Sequence, residues 1–291
     1  MSEQGIGARV LRKEDMRFIT GKGQYTDDIN VRGQCYGVFV RSPHAHATID
    51  GIDTSAAEAA EGVVGVLTGA QIVEDGLGTL PCGWMVLSKD GSEMKQPAHP
   101  IMAATQVNYV GEPVALVVAD SLTAARNAAE LVEVDYAEKA AVVDLASAQD
   151  SAAIYEEVPR NTAYEWELGD QAATEAAFAG AAHVTELTVR NNRLIPNAIE
   201  PRAAIGDYNP STDEMTLYTT SQNPHVVRLV FTAFLNMAPE HKLRVVAPDV
   251  GGGFGSKIFI YSEESACAWA SRRLGVPVKW TADRAESFLA D

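Results

Sequence analysis

The chain has 291 residues, with 39 acidic and 23 basic side chains and a formal net charge of −16. So acidic a surface repels the phosphates of nucleic acids and anionic lipids, and no run of lysine and arginine counters it. Hydrophobic residues make up 46% of the chain, a composition that is typical of a globular protein with about two domains.

The three cysteines, Cys35, Cys82 and Cys267, show no spacing typical of a disulfide framework or a metal site. We expect three reduced, buried thiols. No stretch reaches the roughly 18 apolar residues of a membrane span, and the N-terminus has no signal-peptide pattern. The sequence therefore predicts a cytoplasmic protein without a membrane span.

The first half of the chain alternates short apolar runs with a helical pattern. Strands are expected at 38–40, 63–67, 114–119 and 132–136, because each is a short run rich in β-branched residues. Ser121 is a good N-cap for a helix over 122–132. From about 137 to 180 the chain is rich in Ala, Asp and Glu, and it is interpreted as a connection across a domain boundary near 145–160.

The second half is predicted to begin with strands and to continue with helices. Strands are expected at 184–190, 203–208 and 215–220, with turn residues at 209–213 between the last two. A helix over 224–235, a strand over 243–247, a helix over 259–274 ended by Gly275, and a strand over 276–280 follow.

The densest chemical signal is the segment 250–257, with four glycines in the five positions from Gly251 to Gly255. Glycine is used where the backbone approaches a ligand closely or adopts positive φ, so the segment is either a ligand-binding loop or a tight structural turn. Both the Walker A and the GxGxxG patterns fail, because Ser256 occupies the position where each requires glycine.

A second polar cluster lies at the junction of a strand and a helix, over 219–225. Ser221 or Asn223 can cap the helix, with Pro224 at its first position. Capping leaves Gln222 unexplained. Its side chain offers both a donor and an acceptor, at the end of a strand where ligands bind in α/β proteins.

Two other residue pairs, His44 with His46 and Glu200 with Arg202, are interpreted as structural. His44 and His46 would share one face of a strand, but hydrogen-bonded structural histidines are favoured over a metal site, since no third ligand is near. Glu200 and Arg202 flank Pro201 and are interpreted as a structural ion pair.

Six motifs stand out along the chain, at 20–29 (TGKGQYTDDI), 40–47 (VRSPHAHA), 109–115 (YVGEPVA), 199–202 (IEPR), 221–225 (SQNPH) and 251–257 (GGGFGSK). In this order they resemble the molybdenum-binding large subunit of the xanthine dehydrogenase, aldehyde oxidase and aerobic carbon monoxide dehydrogenase family. The resemblance covers nearly the whole chain and implies a mixed α/β (α+β) fold. Residues 1–145 would form the α/β hammerhead domain, and residues 146–291 an incomplete or split first molybdopterin-binding domain.

The resemblance implies part of an oxidoreductase, a molybdenum hydroxylase that oxidises an aldehyde, an N-heterocycle or carbon monoxide with oxygen from water. The cofactor would be molybdenum–molybdopterin, in plain or cytosine dinucleotide form. Electrons would pass to [2Fe-2S] clusters on an iron–sulfur small subunit and to FAD on a medium subunit.

The resemblance also assigns site residues. Gln222 matches the glutamine whose amide hydrogen-bonds an oxygen ligand of molybdenum, and Phe254 matches a loop residue whose backbone faces the metal. Gly252, Gly253 and Gly255 complete the cofactor-binding set. Such donors stabilise anionic oxygen ligands without adding a competing charge.

Two departures from the family pattern limit the expected activity. Purine-oxidising members carry a glutamate where this chain has Ile258, so xanthine is disfavoured as the substrate. Family large subunits are roughly twice this length or more, and the general-base glutamate is expected in the portion absent here. No catalytic residue is therefore assigned in this chain, and it is not expected to be active without a complementary C-terminal molybdopterin-binding chain.

Two rival hypotheses remain open from the sequence. One is a catalytically inactive truncated homologue or interaction module that retains the fold. The other, disfavoured by the failed spacings, is a generic nucleotide-binding protein that uses the glycine loop for phosphate. The intact glycine run and Gln222 favour the enzyme, because a drifting relic has no physical reason to keep a costly run of glycines.

Overall fold

The computed structural model describes residues 5–291, which form two β-sheets flanked by helices. Over these residues the strands are β1 (Cys35–Arg41), β2 (Ala47–Asp53), β3 (Val63–Thr68), β4 (Gln106–Val107), β5 (Pro113–Ala119), β6 (Glu133–Glu138), β7 (Ala203–Asn209), β8 (Glu214–Thr219), β9 (Leu243–Val246) and β10 (Val278–Thr281). The α-helices are α1 (Asp15–Ile19), α2 (Ser55–Glu58), α3 (Gly69–Glu74), α4 (Leu122–Ala129), α5 (Gln171–Gly180), α6 (Pro224–Ala233), α7 (Ser262–Leu274) and α8 (Arg284–Ala290). The mixed α/β fold is confirmed.

The larger sheet has seven strands in the order β3-β5-β1-β10-β7-β8-β9. Strand β1 pairs in parallel with β10, Cys35 opposite Val278, and β8 pairs in parallel with β9, whereas the other pairs are antiparallel. This sheet contains strands from both sides of position 145. The division of the chain at 145 and 146 therefore stays a prediction, since the sheet itself is continuous across it.

The smaller sheet has the order β4-β2-β6. It packs its apolar face around Ala47, Val107 and Val114, which are fully buried. This burial fixes the register of β2 against β6, because a slip of one residue would turn the apolar side chains of β2 to solvent.

Helix α7 forms the centre of the main core, against strand β7. A Cβ atom on Gly206 would lie 2.4 Å from the carbonyl oxygen of Cys267, so the strand and helix backbones approach as closely as glycine allows. This contact holds α7 against the face of the sheet, and the glycine loop that precedes α7 is thereby anchored at one end.

Several local predictions are confirmed. Strand β5 is buried at every position, as its unbroken apolar run indicates. Ser121 caps helix α4, where its Oγ accepts a hydrogen bond from the Ala124 N–H at 3.2 Å. Gly275 ends α7 with φ of 69°, the left-handed conformation that glycine adopts at little cost.

Substitution of Ser121 by alanine should lower the free energy of unfolding by about 1 kcal/mol, because the first turn of α4 loses its side-chain acceptor. The Ser121→Asp chain is the matched control, since aspartate caps equally well and should stay near the parent value. Urea unfolding followed by circular dichroism measures both. Equal midpoints for the alanine and aspartate chains would contradict a capping role.

The strand predicted at 184–190 is wrong. These residues form no strand within the described part of the chain, and Val184, Leu187 and Val189 are 52%, 81% and 75% exposed. Their β-branched residues favour a strand, but residues 5–291 supply no neighbouring strand to pair with it. Strand propensity predicts the capacity to form a strand, not the presence of a partner.

The cysteine prediction is confirmed in part. All three are free thiols, Cys35 and Cys267 are buried, and Cys82 is exposed, which corrects the expectation for Cys82. It lies in the irregular loop between α3 and β4, where no element covers it. Across residues 5–291, no helix has both the length and the apolarity that a membrane crossing requires.

A buried ion cluster ties the N-terminal strands to the C-terminal helices. We define it as Arg41, Arg202, Glu263, Glu264, Glu286 and Asp291. Its centre is the carboxylate of Glu263, which lies 2.7 Å from Nη2 of Arg41 and 2.7 Å from Nη1 of Arg202. The Arg202 guanidinium also stacks on Tyr261, 3.9 Å from its ring centroid, a cation–π contact inside the protein.

Two guanidinium groups face four carboxyl groups in this cluster, so the acids cannot all be ionised at low cost. Burial alone would raise the pKa of Glu263, but the charges of Arg202 and Arg41 outweigh it and lower that pKa to about 2. Burial raises the pKa of Glu264 to about 8, although Arg202 is near. Two adjacent glutamates on α7 therefore hold opposite protonation states at neutral pH.

Candidate functional site

The glycine loop, residues 251–255, follows strand β9 and is held at its entrance by the N-terminal segment. Asp249 pairs with the guanidinium of Arg17 and accepts the N–H of Gln24 at 2.8 Å, while its own N–H donates to the Gln24 carbonyl at 3.0 Å. Gln24 of the TGKGQYTDDI motif thus lies beside the entrance of the loop and holds Asp249 in place.

The loop backbone takes positive φ at three positions, namely Gly252 (101°), Phe254 (50°) and Gly255 (100°). The two glycines adopt these angles at little cost, whereas phenylalanine at φ of 50° is unusual. The Phe254 side chain is 76% exposed, so burial of its ring does not hold this conformation. Such angles cluster at ligand sites, where a strained backbone presents its N–H groups.

Gln222 lies between β8 and α6, directly beside the loop. Its backbone N–H donates to the Lys257 carbonyl at 2.8 Å, and its side-chain Oε1 accepts the Gly255 N–H at 3.0 Å. Because an N–H donor must face a carbonyl oxygen, this contact orients the amide and leaves both N–H bonds of Nε2 for another acceptor. Gln222 is exposed, so a bound group can reach it.

The N–H groups of Gly252, Gly253 and Phe254 have no acceptor among residues 5–291. Together with Nε2 of Gln222 they form a set of neutral donors at one place. A Cβ atom on Gly253 would lie 2.2 Å from Oε1 of Gln222, so the amide occupies space that only glycine leaves open. This donor set fits the anionic oxygen ligands of an oxometal group, and the molybdenum cofactor is such a group.

An ion pair between Lys257 and Glu200 lies next to the loop. Nζ of Lys257 lies 3.0 Å from Oε2 of Glu200, and Lys257 is 2% exposed. Burial lowers the pKa of Lys257, and the Glu200 carboxylate opposes that change. The predicted pairing of Glu200 with Arg202 is therefore wrong, because Arg202 is occupied by the buried ion cluster. Sequence reasoning missed Lys257, although its place at the end of a glycine run was a signal.

The structure brings the sequence-predicted residues together, with the Gln222 side chain against Gly253 and Gly255. It also changes the expectation for Gly255, whose N–H is taken by Gln222 and is not free for a ligand. Asn223 begins helix α6 without a side-chain cap hydrogen bond, while Ser221 accepts the Asn223 N–H at 3.0 Å and Pro224 occupies the first turn. The contact of these residues with a cofactor stays a prediction.

His44 and His46 lie in the turn between β1 and β2, not on a strand. Nδ1 of His46 is 3.0 Å from the Ala140 carbonyl, and Nδ1 of His44 is 3.4 Å from the Glu138 carboxylate. They are hydrogen-bonded structural residues. Over the described residues, no group of three or more His, Cys, Asp or Glu side chains could hold a metal ion.

Comparison with known proteins identifies a family for each half of the chain. Residues 20–140 match the family "Aldehyde oxidase and xanthine dehydrogenase, a/b hammerhead domain", and residues 154–291 match the family "Molybdopterin cofactor-binding domain". The carbon monoxide dehydrogenase large chain of Afipia carboxidovorans is 38% identical over 98% of this chain and 36% of its own length. The chain belongs to the molybdenum-binding large-subunit family of xanthine dehydrogenase, aldehyde oxidase and carbon monoxide dehydrogenase.

Other members of this molybdenum-binding family match to a similar degree. The nicotine 6-hydroxylase large subunit of Paenarthrobacter nicotinovorans is 38% identical over 98% of this chain and 34% of its own length. The crystal structure of quinoline 2-oxidoreductase from Pseudomonas putida 86 superimposes with a TM-score of 0.85 at 34% identity, covering 97% of this chain and 35% of that chain. The chain thus spans about a third of the length of the relatives it matches.

Proposed function

We propose that this chain forms part of a molybdenum hydroxylase and holds one side of its molybdenum–molybdopterin cofactor. The observation that carries the proposal is the contact between the Gly255 N–H and Oε1 of Gln222. This contact fixes the glutamine amide with its Nε2 donors available, beside three backbone N–H groups without acceptors. Preorganised neutral donors are what an anionic oxo group requires.

When bound, the cofactor supplies the redox centre at which a substrate carbon is oxidised with oxygen from water. The residues of this chain bind and orient that centre. The Gln222 side chain is already held by the Gly255 N–H, so it loses little conformational freedom when it donates to the bound cofactor. The loop adds backbone N–H groups that carry no formal charge. Neither supplies a proton acceptor, so we assign the general base to a glutamate outside this chain.

The remaining parts of the enzyme are proposed from the family. A complementary C-terminal molybdopterin-binding chain would complete the cofactor cage, with the pterin in plain or cytosine dinucleotide form. An iron–sulfur small subunit with [2Fe-2S] clusters and a medium subunit with FAD would remove the electrons. The names of the matched relatives, a "large chain" and a "large subunit", support an assembly of several subunits. We place this assembly in the cytoplasm.

We propose an aldehyde, an N-heterocycle or carbon monoxide as the substrate. The relatives are named for carbon monoxide, nicotine and quinoline, so the family alone does not choose among these classes. Ile258 directly follows Lys257, just past the loop, and is 38% exposed. An apolar side chain at this position cannot hydrogen-bond the polar edge of a purine, and this disfavours xanthine.

The Gln222→Glu substitution tests the proposal. Glutamate has the shape of glutamine and can still accept the Gly255 N–H, but its second oxygen bears negative charge where Nε2 donated. Co-expressed with a complementary C-terminal chain, the Gln222→Glu chain should form the same complex as the parent chain. The Gln222→Glu complex should contain at least tenfold less molybdenum than the parent complex. Mass spectrometry measures the metal content, and the yield of the complex is the control.

Two results would count against the proposal. Equal molybdenum in the parent and Gln222→Glu complexes would show that the glutamine does not contact the cofactor. A parent complex that is well folded but never carries molybdenum would favour the alternative, a catalytically inactive homologue or interaction module that retains the fold.

A further inference from the structure

We propose that Glu200 is a positioning residue, which sets the place of the glycine loop and of Gln222 through the ion pair it makes with the buried Lys257. The effect on loop order stands by itself, and its consequence for cofactor binding rests on the proposed function.

The geometry begins with one carboxylate oxygen that serves both ends of the loop. Oε2 of Glu200 accepts the N–H of Gly251, the first loop residue, at 2.6 Å, and lies 3.0 Å from Nζ of Lys257, two residues past the last. Lys257 Nζ also donates to the Glu200 backbone carbonyl at 2.8 Å. Glu200 thereby connects the entrance of the loop to its exit. We call the contacts among Glu200, Gly251 and Lys257 the clasp.

The loop cannot hold itself in place through side chains, because four of its five residues are glycines. At Gly251 the approach is so close that a Cβ atom would lie 2.5 Å from the Cβ of Glu200. A backbone hydrogen bond adds to this contact, since the Glu200 N–H donates to the Gly251 carbonyl at 3.3 Å. Glycine is needed here so that the carboxylate can reach the backbone.

The clasp continues to Gln222 through Lys257. The Lys257 carbonyl accepts the Gln222 N–H at 2.8 Å, and the Gln222 side chain accepts the Gly255 N–H. A movement of Lys257 therefore shifts the backbone of Gln222, and with it the side-chain amide of Gln222 that accepts the Gly255 N–H. Among the described residues no hydrogen bond joins Glu200 to Gln222, so its influence passes through Lys257 and the loop.

The clasp is fixed to the rigid part of the protein. Arg202, two residues after Glu200, is 1% exposed and anchored in the buried ion cluster. On the other side, Nη2 of Arg284 donates to the Ile199 carbonyl at 2.9 Å. The backbone of Glu200 is thus held from both sides, so its carboxylate has little freedom to follow a moving loop.

Burial makes the pair strongly dependent on both partners. Lys257 is 2% exposed, and Oε1 of Glu200 has no hydrogen-bond partner within the described residues. Removal of one member of a buried pair leaves the other as an uncompensated charge, which is strongly unfavourable. Without Glu200, Lys257 is driven towards solvent and takes the exit of the loop with it.

Amide hydrogen exchange on the 291-residue chain, resolved by NMR, tests the proposal. In the Glu200→Ala chain, exchange at Gly255 and Gln222 should be at least tenfold faster than in the parent chain. Neither of these hydrogen bonds involves Glu200, so a merely local loss would leave both unchanged. The Glu200→Gln chain, which keeps an acceptor for the Gly251 N–H, should show a smaller increase of about threefold and serves if the alanine chain does not fold.

The Asp75→Asn chain is the matched control. Asp75 pairs with Arg273 at 2.7 Å and accepts from Trp269, far from the loop. Its loss should destabilise the chain without selectively increasing exchange at Gly255 and Gln222. Parent-like exchange at these two amides in both Glu200 variants, or an equal increase in the Asp75→Asn chain, would overturn the proposal.

The exchange experiment tests the positioning by Glu200 independently of the proposed function, because it needs no cofactor. Faster exchange in the Glu200 variants supports the positioning function even if Gln222→Glu leaves molybdenum content unchanged. Conversely, parent-like exchange removes Glu200 from the positioning of the loop even if Gln222→Glu abolishes molybdenum binding.

Discussion

The Gly253→Ala chain should fold normally and yet lose the molybdenum cofactor. The added methyl group would lie 2.2 Å from Oε1, 2.5 Å from Cδ and 2.8 Å from Cγ of Gln222. All three atoms belong to one exposed and flexible side chain, which can rotate away at small cost to stability. Once rotated, Gln222 no longer accepts the Gly255 N–H, and its amide loses the fixed orientation on which the proposed contact depends.

We expect molybdenum in the complex with a complementary chain to fall at least tenfold, while the free energy of unfolding of the Gly253→Ala chain changes by less than about 1 kcal/mol. Metal analysis and urea unfolding measure the two quantities. The Gly83→Ala chain is the control, since a Cβ atom there meets nothing within 4 Å. Full molybdenum occupancy in the Gly253→Ala complex would refute the assigned contact.

The second large effect concerns stability as a function of pH. The pKa of Glu264 is about 8 in the folded chain, above its ordinary value of 4.5, so its stabilising contribution is complete below pH 4.5 and lost as pH rises to 8. Glu112, whose pKa burial raises to about 7, acts in the same direction. Each group can remove about 1.4 kcal/mol per pH unit across its window.

Glu263 acts in the opposite direction. Its pKa of about 2 lies below the ordinary value, so its contribution is present above pH 4.5 and lost as pH falls through 2. The combined result is a stability maximum near pH 5, with a decline of several kcal/mol by pH 8. Urea midpoints measured at pH 5, 6, 7 and 8 should fall steadily.

Two isosteric variants separate these contributions. The Glu264→Gln chain, which mimics the protonated acid, should lose less stability than the parent between pH 5 and 8. The Glu263→Gln chain should be destabilised by about 3–5 kcal/mol at pH 6, because Arg41 and Arg202 lose their shared counter-ion. Glu240→Gln, in an exposed pair with Arg228, is the control and should change little. An unaltered pH profile for Glu264→Gln would refute the assigned protonation state.

Local features of this fold could be predicted because their causes are local. The apolar run of β5, the Ser121 cap and the Gly275 helix end each depend on residues within a few positions of one another. Helix capping does not account for Gln222, and this marks the residue as a candidate for ligand binding. Its relation to the glycine loop came from the family resemblance, since the two lie more than 25 residues apart.

Contacts between distant segments could not be predicted in this way. Arg202 is the basic residue nearest to Glu200 in sequence and is the partner that the sequence predicts, but in the fold Glu200 pairs with Lys257. The choice depends on where β7 and α7 place Glu263, which captures Arg202 and leaves Glu200 to Lys257. The wrong strand at 184–190 has the same origin, because pairing depends on a neighbour and not on the segment alone.

The parallel pairing of β1 with β10 has a consequence for synthesis on the ribosome. The edge of β1 that pairs with Val278 and Lys279 in the finished sheet is complete once residue 41 has emerged, but its partner, β10, is synthesised more than 230 residues later. At about 5–20 residues per second, that edge waits roughly 10–50 s for β10. Throughout this interval the nascent chain exposes an unpaired strand edge, the kind of surface that chaperones bind and that joins neighbouring chains in aggregates.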